Sequence, residues 1–136
     1  MIIFIHALLY INIITCLYHI MPIISLQEPE NIHEYKKQFS KILIQFSAGW
    51  CGPCTRITPL INNKFNLLNN NQNLLLYVDI DKHQGLRNFF KIETVPTFHI
   101  YDRDSDSVEP ALQSSDIVTL TKYCINNGIP LTESSY

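Results

Sequence analysis

Two of the four cysteines of this 136-residue chain stand three positions apart, Cys51 and Cys54, with Gly52 and Pro53 between them. They follow Gln45-Phe46-Ser47-Ala48-Gly49-Trp50, an apolar strand-like run that breaks into a short turn. A Cys-x-x-Cys between a strand and a helix reads as a redox pair rather than a structural staple. If a helix opens at Cys51, its free N–H groups and positive dipole end favour a thiolate there. The thiolate is the form that attacks disulfides. Cys54, one helical turn on, is then close enough to displace a mixed disulfide and close an intramolecular one. Pro53 suits a first turn, where no N–H is needed, and Gly52 leaves the approach to sulfur open. Two blander readings compete. Zinc usually takes four ligands, and neither a second cysteine pair nor a histidine pair stands at suitable spacing. A purely structural disulfide gains nothing from an intervening Gly-Pro.

Trp50-Cys51-Gly52-Pro53-Cys54, preceded by Phe46-Ser47-Ala48, resembles the active-site sequence of thioredoxins. A second match is Val95-Pro96-Thr97, where family members place a cis-proline beside the Cys-x-x-Cys and pair the preceding backbone with a client peptide. A third is Pro59, at the spacing of the family's helix-kinking proline. The resemblance covers residues 22 to about 128. It implies a thioredoxin fold, a single α/β domain whose central mixed sheet is flanked by helices, and dithiol–disulfide exchange on proteins. Cys51 would attack and Cys54 resolve, while Trp50, Gly52, Pro53, Val95 and Pro96 bind the substrate. The redox-active Cys51–Cys54 disulfide would serve with no separate cofactor and no metal. The implied partners are protein disulfides and a recycling reductase such as a thioredoxin reductase, with the chain acting as a monomer. Gly-Pro between the sulfurs resembles the reducing members.

The match departs from the family at two supporting positions. Thioredoxins usually carry a buried Asp in the strand before the motif and a Lys in the next strand; here Gln45 and Tyr77 stand there. Gln45 can hydrogen-bond but cannot titrate. Glycines expected in the last hairpin and beside the client groove are replaced by Asp104 and the Pro110–Leu112 segment. These departures support a competing reading, a thioredoxin-fold adaptor with little redox turnover.

The elements that must hold the pair follow from periodicity. Pro22–Leu26 predicts a first strand, Glu28–Phe39 a helix with Ile32, Tyr35 and Phe39 inward, and Lys41–Phe46 a central strand apolar on both faces. The helix opened by Cys51 continues through Leu68 with Pro59 inside it. Asn69–Asn73 is a loop and Leu74–Asp81 a third strand. His83–Ile92 predicts a short helix with Leu86, Phe89 and Phe90 inward, before a strand that opens at Val95-Pro96. Val108–Leu112 predicts a last edge strand, and Ile117–Asn126 a helix capped by Ser114, Ser115 or Asp116 and ended by Asn127-Gly128. His83 and His99 are candidate proton shuttles by type, but His99, on the strand face opposite Phe98 and Ile100, reads as an ordinary partly buried histidine. Cys124 reads as a small buried hydrophobe, and Asp79 and Asp81 as residues that face solvent or cap the following turn.

Composition bounds the rest. Of the chain 46% is hydrophobic and 11% aromatic, enough for one core. A formal net charge of −2 argues against nucleic acid as a partner. The cysteines, with Cys16 in the leader, do not form a dense disulfide framework. Residues 1–20 form an apolar leader without Lys, Arg, Asp or Glu, residues 21–130 the domain, and residues 131–136 a tail. A signal peptide, a membrane anchor and an untranslated upstream stretch compete for the leader. The first two direct the chain to the secretory pathway or associate it with a membrane, and are favoured; a start at Met21 leaves it cytoplasmic.

Overall fold

The computed structural model describes residues 23–26, 31–66 and 72–131. The leader, the predicted helix start at residues 28–30, most of the Asn-rich loop and residues 132–136 lie outside the described residues. In chain order the first elements are β1 (Ile23–Ser25), α1 (Asn31–Gln38), β2 (Lys41–Ser47), α2 (Gly52–Asn66) and β3 (Asn73–Asp79). There follow α3 (Gln84–Phe89), β4 (Thr97–Asp102), β5 (Ser107–Val108), β6 (Leu112–Gln113) and α4 (Ile117–Asn126).

The apolar run of β2 puts it at the centre of a mixed sheet. β3 pairs with it in parallel on one side and β4 antiparallel on the other. β1 extends the sheet beyond β3 in parallel, and β5 and β6 both pair with the outer edge of β4. Alternation along the strands sorts the side chains onto two faces. Ile42, Ile44 and Phe46 join Leu74, Leu76 and Val78 in a core that takes in Ile32 and Phe39 from the α1 side. Leu43, Leu75, Phe98 and Ile100 face the other way, against Ile57 and Ile61 of α2 and Leu120 and Cys124 of α4. Phe46 and Phe98 are wholly buried, one on each face, and each such burial contributes about 1.5–3 kcal/mol. Gln45 pairs with Tyr77 and Phe98 in the ladders, which assigns it to the α2 side.

Several boundaries differ from the expectation for identifiable reasons. β3 stops at Asp79 because the Asp79 carboxylate accepts the Asp81 N–H (2.9 Å), turning the chain at Ile80. β4 opens at Thr97, because Pro96 has no N–H to offer the ladder. The single edge strand expected over Val108–Leu112 is instead two short strands, β5 and β6. Pro110 interrupts them for the same reason, after Glu109 donates its N–H to Ile100 O (2.8 Å). Phe89, expected inward, is 77% exposed. The ring that enters is Phe90, which meets Phe46 and His99 at centroid distances of 5.1 and 5.2 Å, while Phe89 stacks edge-on over it from outside. In the hairpin after β4, Asp106 rather than Asp104 takes the left-handed conformation, at φ 46°, and its carboxylate accepts the Tyr101 hydroxyl.

α4 has the predicted bounds. Its N-cap is Asp116, whose carboxylate accepts the Thr119 N–H at 2.9 Å. It closes with Gly128 at φ 83°, the Gly128 N–H reaching Ile125 O and the Ile129 N–H reaching Cys124 O. A side chain at Gly128 would also collide with Lys41, whose Cε lies 2.8 Å from the Cβ position. Leu131, expected to begin the tail, is buried in the α4-side core.

Candidate active site

The turn that ends β2 delivers Cys51 to the start of α2. Cys51 N–H bonds back to Ala48 O (3.2 Å), and Cys51 O accepts both the Thr55 N–H (3.1 Å) and the Thr55 hydroxyl (3.0 Å). The helix itself begins at Gly52, so Cys51 is the capping residue rather than the first helical one. Its sulfur occupies the place of an N-cap acceptor: the Cys54 N–H points at Cys51 Sγ from 3.2 Å. Once reduced, that sulfur has a helix N–H and the positive end of the α2 dipole to favour its anion. Cys51 and Cys54 are joined in a disulfide with Cα atoms 5.3 Å apart. Both are buried, Cys51 at 5% exposure and Cys54 at 1%. Cys51 is the less covered by only a small margin.

Two neighbours frame the disulfide. The Val95–Pro96 peptide is cis, and the Val95 carbonyl oxygen lies 3.6 Å from Cys51 Sγ. This brings the two matching motifs together across 44 residues of chain. Trp50 is 70% exposed beside them, and its indole N–H donates to the Asp81 carboxylate at 2.9 Å. Asp81 thereby fixes the ring, a role that strand-end spacing alone did not reveal.

Behind Cys54 the side chains are uncharged. Gln45 is fully buried and donates through Nε2 to Thr58 Oγ1 (2.9 Å), which in turn donates to Cys54 O (2.8 Å). Tyr77 lies beside Gln45 in the β2–β3 ladder and is half-buried. The residue that thioredoxins usually make acidic is thus tied to Cys54 through a threonine. Pro59, next along α2, has no N–H for the Thr55 carbonyl.

The family model for thioredoxin matches residues 23–122. The chain belongs to the thioredoxin family. It is 39% identical over 67 residues to thioredoxin-2 of Dictyostelium discoideum, spanning 47% of this chain and 70% of that protein. It is 33% identical over 97 residues to thioredoxin 3 of Plasmodium falciparum, spanning 67% of this chain but 52% of the relative. Several relatives therefore extend well beyond what this chain matches. A crystal structure of Plasmodium falciparum thioredoxin superposes with a TM-score of 0.67 at 25% identity, covering 76% of this chain and 85% of that one. Mitochondrial thioredoxin 3 of Saccharomyces cerevisiae, at 20% identity, has the same fold, with a TM-score of 0.67 over 76% of this chain and 94% of that one. The thioredoxin fold is thus established for the described domain, and family membership with the Cys51–Cys54 disulfide supports a thiol–disulfide oxidoreductase.

The remaining residues sort by position within this thioredoxin domain. His83 donates through Nε2 to Leu26 O (2.8 Å) and is 3% exposed. His99 pairs with Ile44 rather than Gln45, so it belongs to the α1-side face, and its Nδ1 donates to Glu109 O (3.1 Å). Cys124 is a free, wholly buried thiol that burial pushes up to about 12, so it stays protonated and inert near neutral pH. Among the described residues no group of three or more His, Cys, Asp or Glu side chains could hold a metal. Sequence reasoning passed over Thr58 and Ser47. Ser47 was nonetheless legible, two residues after Gln45 on the same face of the same strand.

Proposed function

We propose that this thioredoxin-family chain reduces protein disulfides, with Cys51 as nucleophile and Cys54 as resolving thiol. The supporting observation is Cys51 Sγ at the N-terminus of α2, accepting the Cys54 N–H and already bonded to Cys54. A reductase converts the Cys51–Cys54 disulfide to a dithiol. Cys51 thiolate attacks one client sulfur, forming a mixed disulfide and expelling the other sulfur as a thiolate. Cys54 thiolate then attacks Cys51 Sγ, closing the original disulfide and releasing the second client thiolate. Two electrons pass to the client, and both sulfurs come from one copy of the chain. Trp50, Gly52, Pro53 and the Val95–Pro96 backbone would hold the extended client beside Cys51. Direction in the cell follows the potential of the compartment and of the reductase.

Insulin reduction driven by dithiothreitol tests this reading. The chain is expected to accelerate the reaction about tenfold or more over dithiothreitol alone, and Cys51→Ser to return it to the uncatalysed rate. A wild-type rate no faster than uncatalysed would leave the adaptor reading in its place.

Where the enzyme works depends in this proposal on residues 1–20, read as a membrane-directing leader. Among the described residues no helix is long and apolar enough to cross a membrane. A C-terminally tagged full-length chain should co-sediment with membranes or enter the secretory pathway. A chain started at Met21 should remain cytosolic. Identical distributions of the two would dismiss the leader.

A further inference from the structure

Between Lys41 and Lys64 the sequence holds a single charged residue, Arg56, two positions after Cys54. Side chains on a helix lean toward its N-terminus, so each covers the turn before its own. Arg56 does this on α2. Its exposed side chain reaches back four residues, placing Nη1 3.4 Å from the point where a Cβ on Gly52 would stand. Because Gly52 has no side chain, the guanidinium lies against the bare backbone that follows Cys51.

Nothing among the described residues neutralises this charge. α2 has no Asp or Glu along its length, and no described carboxylate lies within ion-pair distance of Arg56. The acidic residues at the end of β3 are otherwise engaged. Asp79 accepts the Asp81 N–H, and Asp81 accepts the Trp50 indole N–H, both at 2.9 Å. Lys91 and Glu93, ahead of the Val95–Pro96 segment, contribute one charge of each sign. A guanidinium is a planar fork of five donors that matches a carboxylate bidentately. Here that fork stands beside the reactive cysteine with no acidic partner of its own.

We propose that Arg56 is a specificity-determining residue, which favours client disulfides carrying a Glu or Asp beside the attacked cysteine. The proposal rests on the dithiol–disulfide reading above. In that reading the client crosses Gly52, so the guanidinium borders its path and meets a carboxylate on the neighbouring client residue. Such an exposed charge acts on encounter and orientation, and salt weakens it. Arg56 takes no part in the bonds that form and break, and the electrons move between sulfurs as already described. The same charge could instead act on the Cys51 thiolate, but that effect would speed every client alike. A comparison between clients separates the two.

The test uses the reduced full chain and two synthetic cyclic disulfide peptides, identical except for Glu or Lys on both sides of one cysteine. Free peptide thiols are counted after acid quenching. Each rate is divided by the rate of the same peptide with dithiothreitol, which cancels differences in intrinsic reactivity. At low salt the wild type is expected to favour the Glu peptide about fivefold. Arg56→Gln should bring the ratio within about twofold of unity, Arg56→Glu should invert it, and Arg56→Lys should keep most of it. About 0.5 M sodium chloride should collapse the wild-type ratio toward that of Arg56→Gln. The same ratio in wild type and Arg56→Gln would overturn the proposal. So would an equal loss toward both peptides, which would assign the arginine to the Cys51 thiolate. Failure of the reduced wild type to reduce either peptide would overturn the dithiol reading itself.

Discussion

Cys54→Ser is expected to accumulate mixed disulfides with client proteins, and Cys51→Ser to accumulate none. The expectation follows from the unequal placement of the two sulfurs on α2. Cys51 precedes the first helical residue, faces the Val95 carbonyl at 3.6 Å, and accepts a backbone N–H. Cys54 lies inside the first turn, and its carbonyl accepts the Thr58 hydroxyl. Only Cys51 combines a helix N-terminus, a donor aimed at sulfur and the cis-proline segment in reach, the conditions for a stabilised and accessible thiolate. Removing Cys54 leaves the attack intact but withdraws the internal thiol that releases the client, so the adduct persists until an outside thiol arrives. Removing Cys51 leaves Cys54, which is buried inside the first turn of α2 and has neither the helix-terminal position nor the cis-proline segment beside its sulfur. Non-reducing gels of a cell extract passed over each immobilised variant should show adducts at least about tenfold more abundant with Cys54→Ser. Comparable yields from the two variants would reverse or abolish the assignment of nucleophile. Cys124 does not confuse the readout, being wholly buried and protonated.

The parts of this architecture that were legible from sequence are those written in local patterns. The apolar run 41–46 announced a strand covered on both faces, and β2 is buried at every position after Lys41. The Ser114-Ser115-Asp116 run and the Asn127-Gly128 pair marked both ends of α4, because capping chemistry is local, and the structure selects Asp116 as the cap. Trp-Cys-Gly-Pro-Cys and Val-Pro-Thr were each readable alone. Their convergence at Cys51 is tertiary, and only the resemblance anticipated it. What was missed depends on competition for space or on a partner distant in sequence. Phe89 and Phe90 both suit an inward position, but the site beneath α3 takes one ring, and Phe90 fills it against Phe46. Asp81 holds Trp50 from 31 residues away, which no spacing rule encodes. Ser47 shares the strand face of Gln45 by simple alternation, but that its hydroxyl is buried without a hydrogen-bond partner follows only from the packing around it.

Gln45→Asp is expected to raise turnover in the insulin assay while lowering the stability of the fold. On function, the change puts a titratable group where the neutral amide now stands, behind Cys54 and joined through Thr58 to the Cys54 backbone carbonyl. A carboxylate there can accept the Cys54 proton in place of water, and general-base assistance of this kind raises the rate of a proton-limited step. Because other steps then become limiting, the observable gain in turnover is on the order of threefold. On stability, position 45 is 0% exposed, so an ionised carboxylate loses its hydration on folding. Thr58 adds to the penalty. Its single proton already serves Cys54 O, leaving a lone pair that a neutral Asp can donate to but that an ionised Asp cannot satisfy. Both effects raise the folded-state pKa of the new carboxyl above its unfolded value of about 3.9. A rise of about two units corresponds to ~2.7 kcal/mol lost at neutral pH. The sign fixes the pH dependence: the deficit is absent below about pH 3, where both states are protonated, grows as pH rises through the unfolded pKa toward the folded one, and is complete above the folded pKa. Urea midpoints of the variant and wild type should therefore converge in acid and separate at neutral pH. Turnover that is unchanged or lower in correctly folded variant would mean that proton removal from Cys54 does not limit the wild type.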